Sequence, residues 1–322
     1  MPLYPFLLNP ALHVKVWGGR KLETIMGKQL PTDEPYGESW EMHDTATVAN
    51  GPEAGRSVGD LLKQYGHDLV GKQNNPAEGF PLLAKILDPS DWLSVQVHPN
   101  DEQAKELEGD PRGKTEAWYV LYAEPGAKLV KAVQPGTTRE QMAQAIRDNT
   151  LEKLLVYEEV EVGDVLLNNA GGIHALGPGI MIYEIQQSSD VTYRLYDWGR
   201  MDLNGKPRAL HIDKGVKVSN MDVIPPITHT AGNTMPVVDV VHCPYFVTLL
   251  HQLNPRNGTR ITLDTHGEQF HILTCVDGEG TVSAGDTQVS FKKGQTVLIP
   301  ANQGAYTLEG TTRVLRSFQP LS

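Results

Sequence analysis

From Trp92 onward apolar and polar positions alternate. Leu93, Val95 and Val97 point one way and Ser94, Gln96 and His98 the other, the period-two pattern of a strand with one apolar face. The pattern returns downstream. After a loop from Asn100 to Gly113, Glu116, Trp118, Val120 and Tyr122 share a face of a second predicted strand. Ile180, Ile182, Glu184 and Gln186 share a face further on, as do Thr192, Arg194 and Tyr196. Gly163-Asp164 turns the chain into Val165-Leu166-Leu167, and Gly171-Gly172 turns it again just before His174. Helix-period segments are few. Ser57 with Asp60 resembles a capping box ahead of Leu61 and Leu62, and Thr138 with Gln141 caps a segment whose Met142, Ala145 and Ile146 share one face. Asn149-Thr150 opens a third short stretch carrying Leu151, Leu154 and Leu155. The pattern predicts a mainly β protein with a few short helices inserted.

The tail repeats the same grammar. Glu116-Ala-Trp-Tyr-Val-Leu resembles Glu268-Gln-Phe-His-Ile-Leu, and Val165-Leu-Leu before His174 resembles Val297-Leu-Ile before Tyr306, which puts Tyr306 where His174 stands. Two similar β-barrels follow, with the boundary in the proline-interrupted region between Pro225 and Pro236, drawn at 1–228 and 229–322. Glu268 survives in the second copy, but the histidine does not, and no Gln-x-His pair accompanies it, so the second barrel is expected to be structural and without metal. His251, His266 and His271 read as exposed or hydrogen-bonded histidines rather than ligands.

Composition narrows the function classes. A chain of 322 residues with 39% hydrophobic content can bury two cores, and 31 glycines with 22 prolines favour short strands joined by turns. The formal net charge of -11 argues against a nucleic-acid surface, which needs a clustered basic face, but leaves room for a local cationic pocket. Two cysteines, Cys243 and Cys275, supply neither a Cys-rich metal site nor a disulfide framework. Met1 to Val14 lacks a basic n-region and is interrupted by prolines, and no apolar run approaches the roughly 20 residues of a spanning helix. A cytoplasmic protein with no membrane or nucleic-acid partner is expected, and no obligate protein partner is evident.

Gln96 and His98, two apart on one strand, aim two Lewis-basic side chains into the same space, and Glu116 and His174 could complete a metal site. Two imidazoles, a carboxylate and a carboxamide oxygen suit zinc; iron or manganese would also fit.

These residues sit in a set of ordered motifs. Val16-Trp-Gly-Gly, Gly37-Glu-Ser-Trp-Glu, Leu93-Ser-Val-Gln-Val-His-Pro-Asn-Asp, Gly113-Lys-Thr-Glu-Ala-Trp and Ile182-Tyr-Glu-Ile-Gln-Gln-Ser-Ser-Asp together resemble the type I mannose-6-phosphate isomerases in their short bacterial form. The likeness runs from about residue 12 to 215 and more loosely to the end. It implies two cupin-like (jelly-roll) barrels and one zinc ion per chain at the positions of Gln96, His98, Glu116 and His174. The activity it implies is interconversion of mannose 6-phosphate and fructose 6-phosphate through an enediol or enediolate. Lys114 becomes an active-site lysine on this likeness, Arg194 a group beside the substrate holding phosphate or enediolate, and Ser39 a contact to the sugar phosphate, with Trp40 a contact or core packing. Glu184 is the first choice for proton transfer, a carboxylate near a metal and a lysine. Asn169 and Gly172 depart from the Pro and Thr common in the turn before His174, which touches turn rigidity only. The alternatives are another metal-dependent cupin enzyme, such as an oxygenase, and a non-catalytic sugar-binding or regulatory cupin.

Overall fold

Leu82–Leu87 is buried at every position, so it carries no alternation, as expected of a strand covered on both faces. Leu82 and Ala84 join the largest core cluster while Leu87 joins another, so the two faces of this strand serve different cores. The computed structural model describes residues 3–321 and is mainly β, as the alternation predicts. Leu82–Leu87 lies inside a seven-stranded antiparallel sheet that also holds Tyr36–Met42, Glu116–Ala123, Asp164–Asn168 and Ile180–Gln187. A nine-stranded sheet, built mainly from the tail, packs against it. The core between the two includes Tyr119, Val165 and Ile185 from one sheet and Leu250, Ile272, Leu298 and Leu315 from the other. Tyr183 crosses this layer, its hydroxyl sharing a 2.9 Å hydrogen bond with Ser317, which in turn lies 2.7 Å from Thr248.

Sheet membership crosses the boundary drawn from sequence. Phe6–Asn9 pairs with Thr296–Ile299, so the start of the chain is a strand of the tail's sheet, and His229 pairs with Asp164 in the other sheet. Nothing in the apolar run at the start names a partner almost 300 residues away.

The expected helices form with the expected caps. Ser57 accepts from the Asp60 backbone N–H at 3.1 Å, and Thr138 and Gln141 cap each other reciprocally. Two local expectations need correction. The segment after Asn149-Thr150 is a single 3-10 turn, Leu151–Leu154, without a side-chain cap. The stretch read as a loop after Asn100 contains a helix, Asp101–Glu108, with Asn100 and Gln103 forming a capping box. Among the described residues no helix is long and apolar enough to cross a membrane.

If the layer between the sheets carries the stability, Ile272→Ala, at a position 0% exposed, should cost about 2–5 kcal/mol. Leu203→Ala, at a residue 59% exposed, should stay within about 0.5 kcal/mol. Urea midpoints of the two variants measure the contrast.

Candidate metal centre

Backbone pairing brings the candidate ligands together. Gln96 belongs to the short strand Val95–Val97, and its N–H and C=O exchange hydrogen bonds, both 3.0 Å, with those of His174. Leu93, Val95 and Val97 are buried in apolar clusters, so the opposite parity carries Gln96 and His98 toward the chemistry, as the alternation predicts. Glu116 opens the strand Glu116–Ala123. The turn carrying Asn169 and Gly172 is closed by a 2.9 Å backbone bond between those two residues, and the Gly172 carbonyl accepts from His174 Nδ1 at 3.0 Å.

His98, Glu116 and His174 each offer an atom within 4.8 Å of the others, and all three are buried. His174 Nε2 lies 3.2 Å from Glu116 Oε1 and 3.3 Å from the Gln96 carboxamide, and His98 Nε2 lies 3.5 Å from Glu116 Oε2. Both Nδ1 atoms are spent on backbone carbonyls, His98 on Val191 at 2.9 Å and His174 on Gly172, which leaves the Nε2 lone pairs facing inward. His98 Nε2 and both Glu116 oxygens are buried without a hydrogen-bond partner. An acceptor set this deep and this unsatisfied is unfavourable by itself and is satisfied by a cation, so the residues fit a divalent metal.

Protonation states agree with that reading. Burial and the neighbouring Lys114 ammonium push His98 well below the usual imidazole range. Burial alone would raise the Glu116 carboxyl, but the Lys114 ammonium holds it well below the usual carboxylate range. Lys114 Nζ stands 2.9 Å from Glu116 Oε2, although Lys114 lies just ahead of the strand itself.

A cavity of about 400 Å³ adjoins these groups and is lined by Gln96, Lys114, Glu184 and Arg194 among others. Glu184 accepts from the Trp118 indole N–H at 2.8 Å on Oε2 and faces Lys85 Nζ at 3.2 Å on Oε1. Burial would lower the Lys85 ammonium, but Glu184, Glu38 and Glu116 raise it above its ordinary value, so it stays charged. Arg194 donates to the Ala209 carbonyl at 3.0 Å, keeps Nε without a partner, and pairs with no carboxylate among the described residues.

The sequence reading misses ionisable residues that line the cavity, among them His13, Lys15, Glu38, Lys85 and Arg208. The signal for Lys85 was a lone charge in the apolar run Leu82–Leu87. Ser39 is a correction. It is fully buried on the opposite parity from Glu38 and Trp40, which line the cavity, and it donates to Glu41 Oε1 at 2.6 Å. Tyr196 is another. A bulge between Arg194 and Tyr196 breaks the alternation, so Thr192 and Arg194 face the cavity while Tyr196 packs into an apolar cluster. In the second copy Glu268 is exposed and precedes the strand that starts at His271.

Comparison with known proteins gives a consistent picture. The sequence model of the phosphomannose isomerase type I catalytic domain matches residues 6–121, and that of the mannose-6-phosphate isomerase cupin domain matches residues 238–319. The mannose-6-phosphate isomerase of Streptococcus mutans serotype c is 33% identical, covering 97% of this chain and 98% of its own. ManA of Bacillus subtilis, a mannose-6-phosphate isomerase, is also 33% identical, over 96% of this chain and 97% of its own. Among solved structures, the Bacillus subtilis mannose 6-phosphate isomerase superposes with a TM-score of 0.87 at 30% identity, covering 98% of this chain and 99% of that one. A putative mannosephosphate isomerase from Archaeoglobus fulgidus shares the fold, with a TM-score of 0.76 at 20% identity over 99% of both chains.

The donor set predicts that chelated protein, dialysed against zinc or manganese chloride, takes up about one ion per chain. Glu116→Gln should weaken uptake by roughly 10-fold or more, read by elemental analysis after equilibrium dialysis. A separate acid limb is expected from Glu38. Burial would raise its carboxyl, but Lys85 and Lys15 hold it down to about 2. A depressed carboxyl stabilises the fold above its unfolded value, and the contribution is lost as pH falls through the folded value. Between the ordinary carboxylate range and pH about 2, Glu38→Gln should therefore flatten the fall in unfolding free energy, followed by urea titration.

Proposed function

The chain belongs to the type I phosphomannose isomerase family, and we propose that it interconverts mannose 6-phosphate and fructose 6-phosphate with one zinc ion held by Gln96, His98, Glu116 and His174. One observation carries the reading: a buried, unsatisfied acceptor cluster adjoins a cavity whose lining holds five lysines and arginines against three carboxylates, in a chain of net charge -11. An excess of cations facing one cavity suits a phosphorylated anion, and an acceptor cluster beside it suits a Lewis acid.

Moving a carbonyl between C1 and C2 of an open sugar requires a proton to leave one carbon and reach the other while negative charge builds on oxygen. A bound zinc supplies polarisation of the sugar oxygens without electron transfer. Proton transfer is assigned to Glu184 Oε1, because Oε2 is occupied by the Trp118 indole N–H and Oε1 has no hydrogen-bond partner. Lys85, 3.2 Å away, pairs with the carboxylate that accepts the proton from C2. Trp118 meets His174 edge-on at 5.3 Å, so one buried indole orients both the proposed base and a proposed ligand. Lys114 and Arg194 present positive charge to the developing oxyanion or the phosphate.

A coupled assay on zinc-loaded protein, without reductant, should record fructose 6-phosphate formation from mannose 6-phosphate, abolished by chelation and restored by zinc. Glu184→Gln should lower kcat by about 10²–10⁴ and leave KM within roughly twofold. Unchanged turnover in that variant removes Glu184 from the mechanism. Arg194→Gln separates its two roles: a raised KM assigns it to the phosphate, a lowered kcat at constant KM to the enediolate.

A further inference from the structure

The tail's sheet has a second polar cluster that the proposed reaction does not use. Pairing register locates it: His251 lies opposite Val314, Arg316 opposite Leu249 and Leu273, and His271 opposite Ile299, so these side chains share the face turned away from the layer between the sheets. The surroundings are apolar, with Leu273, Val297, Ile299 and Val314 in one buried cluster. His251 and His271 are each 1% exposed. His271 Nδ1 shares a 2.8 Å hydrogen bond with the Tyr306 hydroxyl, and the Arg316 guanidinium lies 4.9 Å from the centre of the Phe318 ring.

The cluster is unsatisfied. Both ring nitrogens of His251 and Nε of Arg316 are buried without a hydrogen-bond partner, so His251 is neither of the two things the sequence suggested, exposed or hydrogen-bonded. Arg316 pairs with no carboxylate among the described residues. Asp264, whose charge reaches Tyr306, is 41% exposed and forms no pair with Arg316. Burial and Arg316 push His251 down to about 4 and His271 well below the imidazole range, so neither ring offers a counter-charge and both are neutral near pH 7. What remains is a half-buried guanidinium in an apolar barrel, touched by the Tyr306 hydroxyl but facing no counter-charge, beside the unsatisfied His251 ring, an arrangement that repels metal cations.

We propose that His251, Arg316 and the Tyr306–His271 pair form a binding site for a small oxyanion of the phosphate class, separate from the metal-centred cavity. The oxyanion supplies acceptors to Arg316 and the His251 N–H and neutralises the guanidinium. Both imidazoles are 1% exposed, which suits a small oxyanion rather than a sugar.

Full-length protein labelled with ¹³C-histidine, titrated with inorganic phosphate at constant ionic strength against potassium chloride, tests the site through the imidazole signals of His251 and His271. Both should shift saturably with phosphate and not with chloride. In Arg316→Met the phosphate concentration for half-saturation should rise roughly 10-fold or more, with Arg316→Lys between the two and retained isomerase turnover confirming the fold. If Arg316→Met does not fold, His251→Phe read through His271 provides the same comparison. Signals that stay fixed in the unaltered protein, or that titrate alike with and without Arg316, overturn the assignment.

Discussion

A carboxylate with no exposed surface, both oxygens lacking hydrogen-bond partners, is the constraint around which the first half of this protein is arranged. An ionised group of that kind costs several kcal/mol unless opposite charge and donors compensate it. Glu116 has one permanent compensating charge, Lys114, and two imidazoles whose N–H groups are turned away to backbone carbonyls. The backbone carbonyls of Val191 and Gly172 thus decide, through tautomer choice, that lone pairs and not protons face Glu116. The pairing of Gln96 with His174 then matters for more than shape, since it holds ligands from distant parts of the chain in one register on stiff strands.

The second level of organisation is the placement of charge. Lys85 occupies an otherwise apolar strand, which is tolerable only because Glu184, its cross-strand partner, and Glu38, on the strand to the other side, flank its ammonium. Each of those carboxylates is in turn fixed by an indole, Glu184 by Trp118 and Glu38 by Trp40 at 2.6 Å. Aromatic N–H groups donate without adding a formal charge, so they orient a carboxylate without cancelling the lysine beside it. The result is a locally cationic cavity in an acidic protein, which no net-charge argument could locate.

Side-chain parity made much of the site legible from sequence. The alternation around Gln96 and His98, and around Glu116, depends only on the period of an extended strand, and it holds because the apolar positions between are buried. Parity failed where the backbone departs from that period. The bulge before Tyr196 is an insertion of register with no composition signal, and it moved that side chain into the core. Ser39 is a different case: the alternation of Gly37-Glu-Ser-Trp-Glu gives the motif two faces and sets Ser39 opposite Glu38 and Trp40. The helix after Asn100 is signalled by its Asn-x-x-Gln cap but carries no apolar stripe, only the buried Ala104. Pairing of Phe6–Asn9 with Thr296–Ile299 is a long-range choice that no local pattern encodes.

The corrected position of Ser39 gives the tail's sheet a mechanical role. Strand Tyr36–Met42 sends Glu38 and Trp40 into the cavity and Ser39 and Glu41 the other way. Glu41 is bound at 2.7 Å by Lys28, whose Nζ also donates to the Gly294 carbonyl at 2.7 Å, and it accepts from Thr296 at 3.2 Å. A chain of buried polar contacts therefore runs from the back of the cavity strand into the tail's sheet. Apolar residues could fill that space with equal or better stability, but they would not fix the strand along its length as directional bonds do. Because Glu38 and Trp40 sit on the same short strand as this anchor, a slide of the strand would misplace both together. The tail's sheet thereby helps to hold the cavity wall in register.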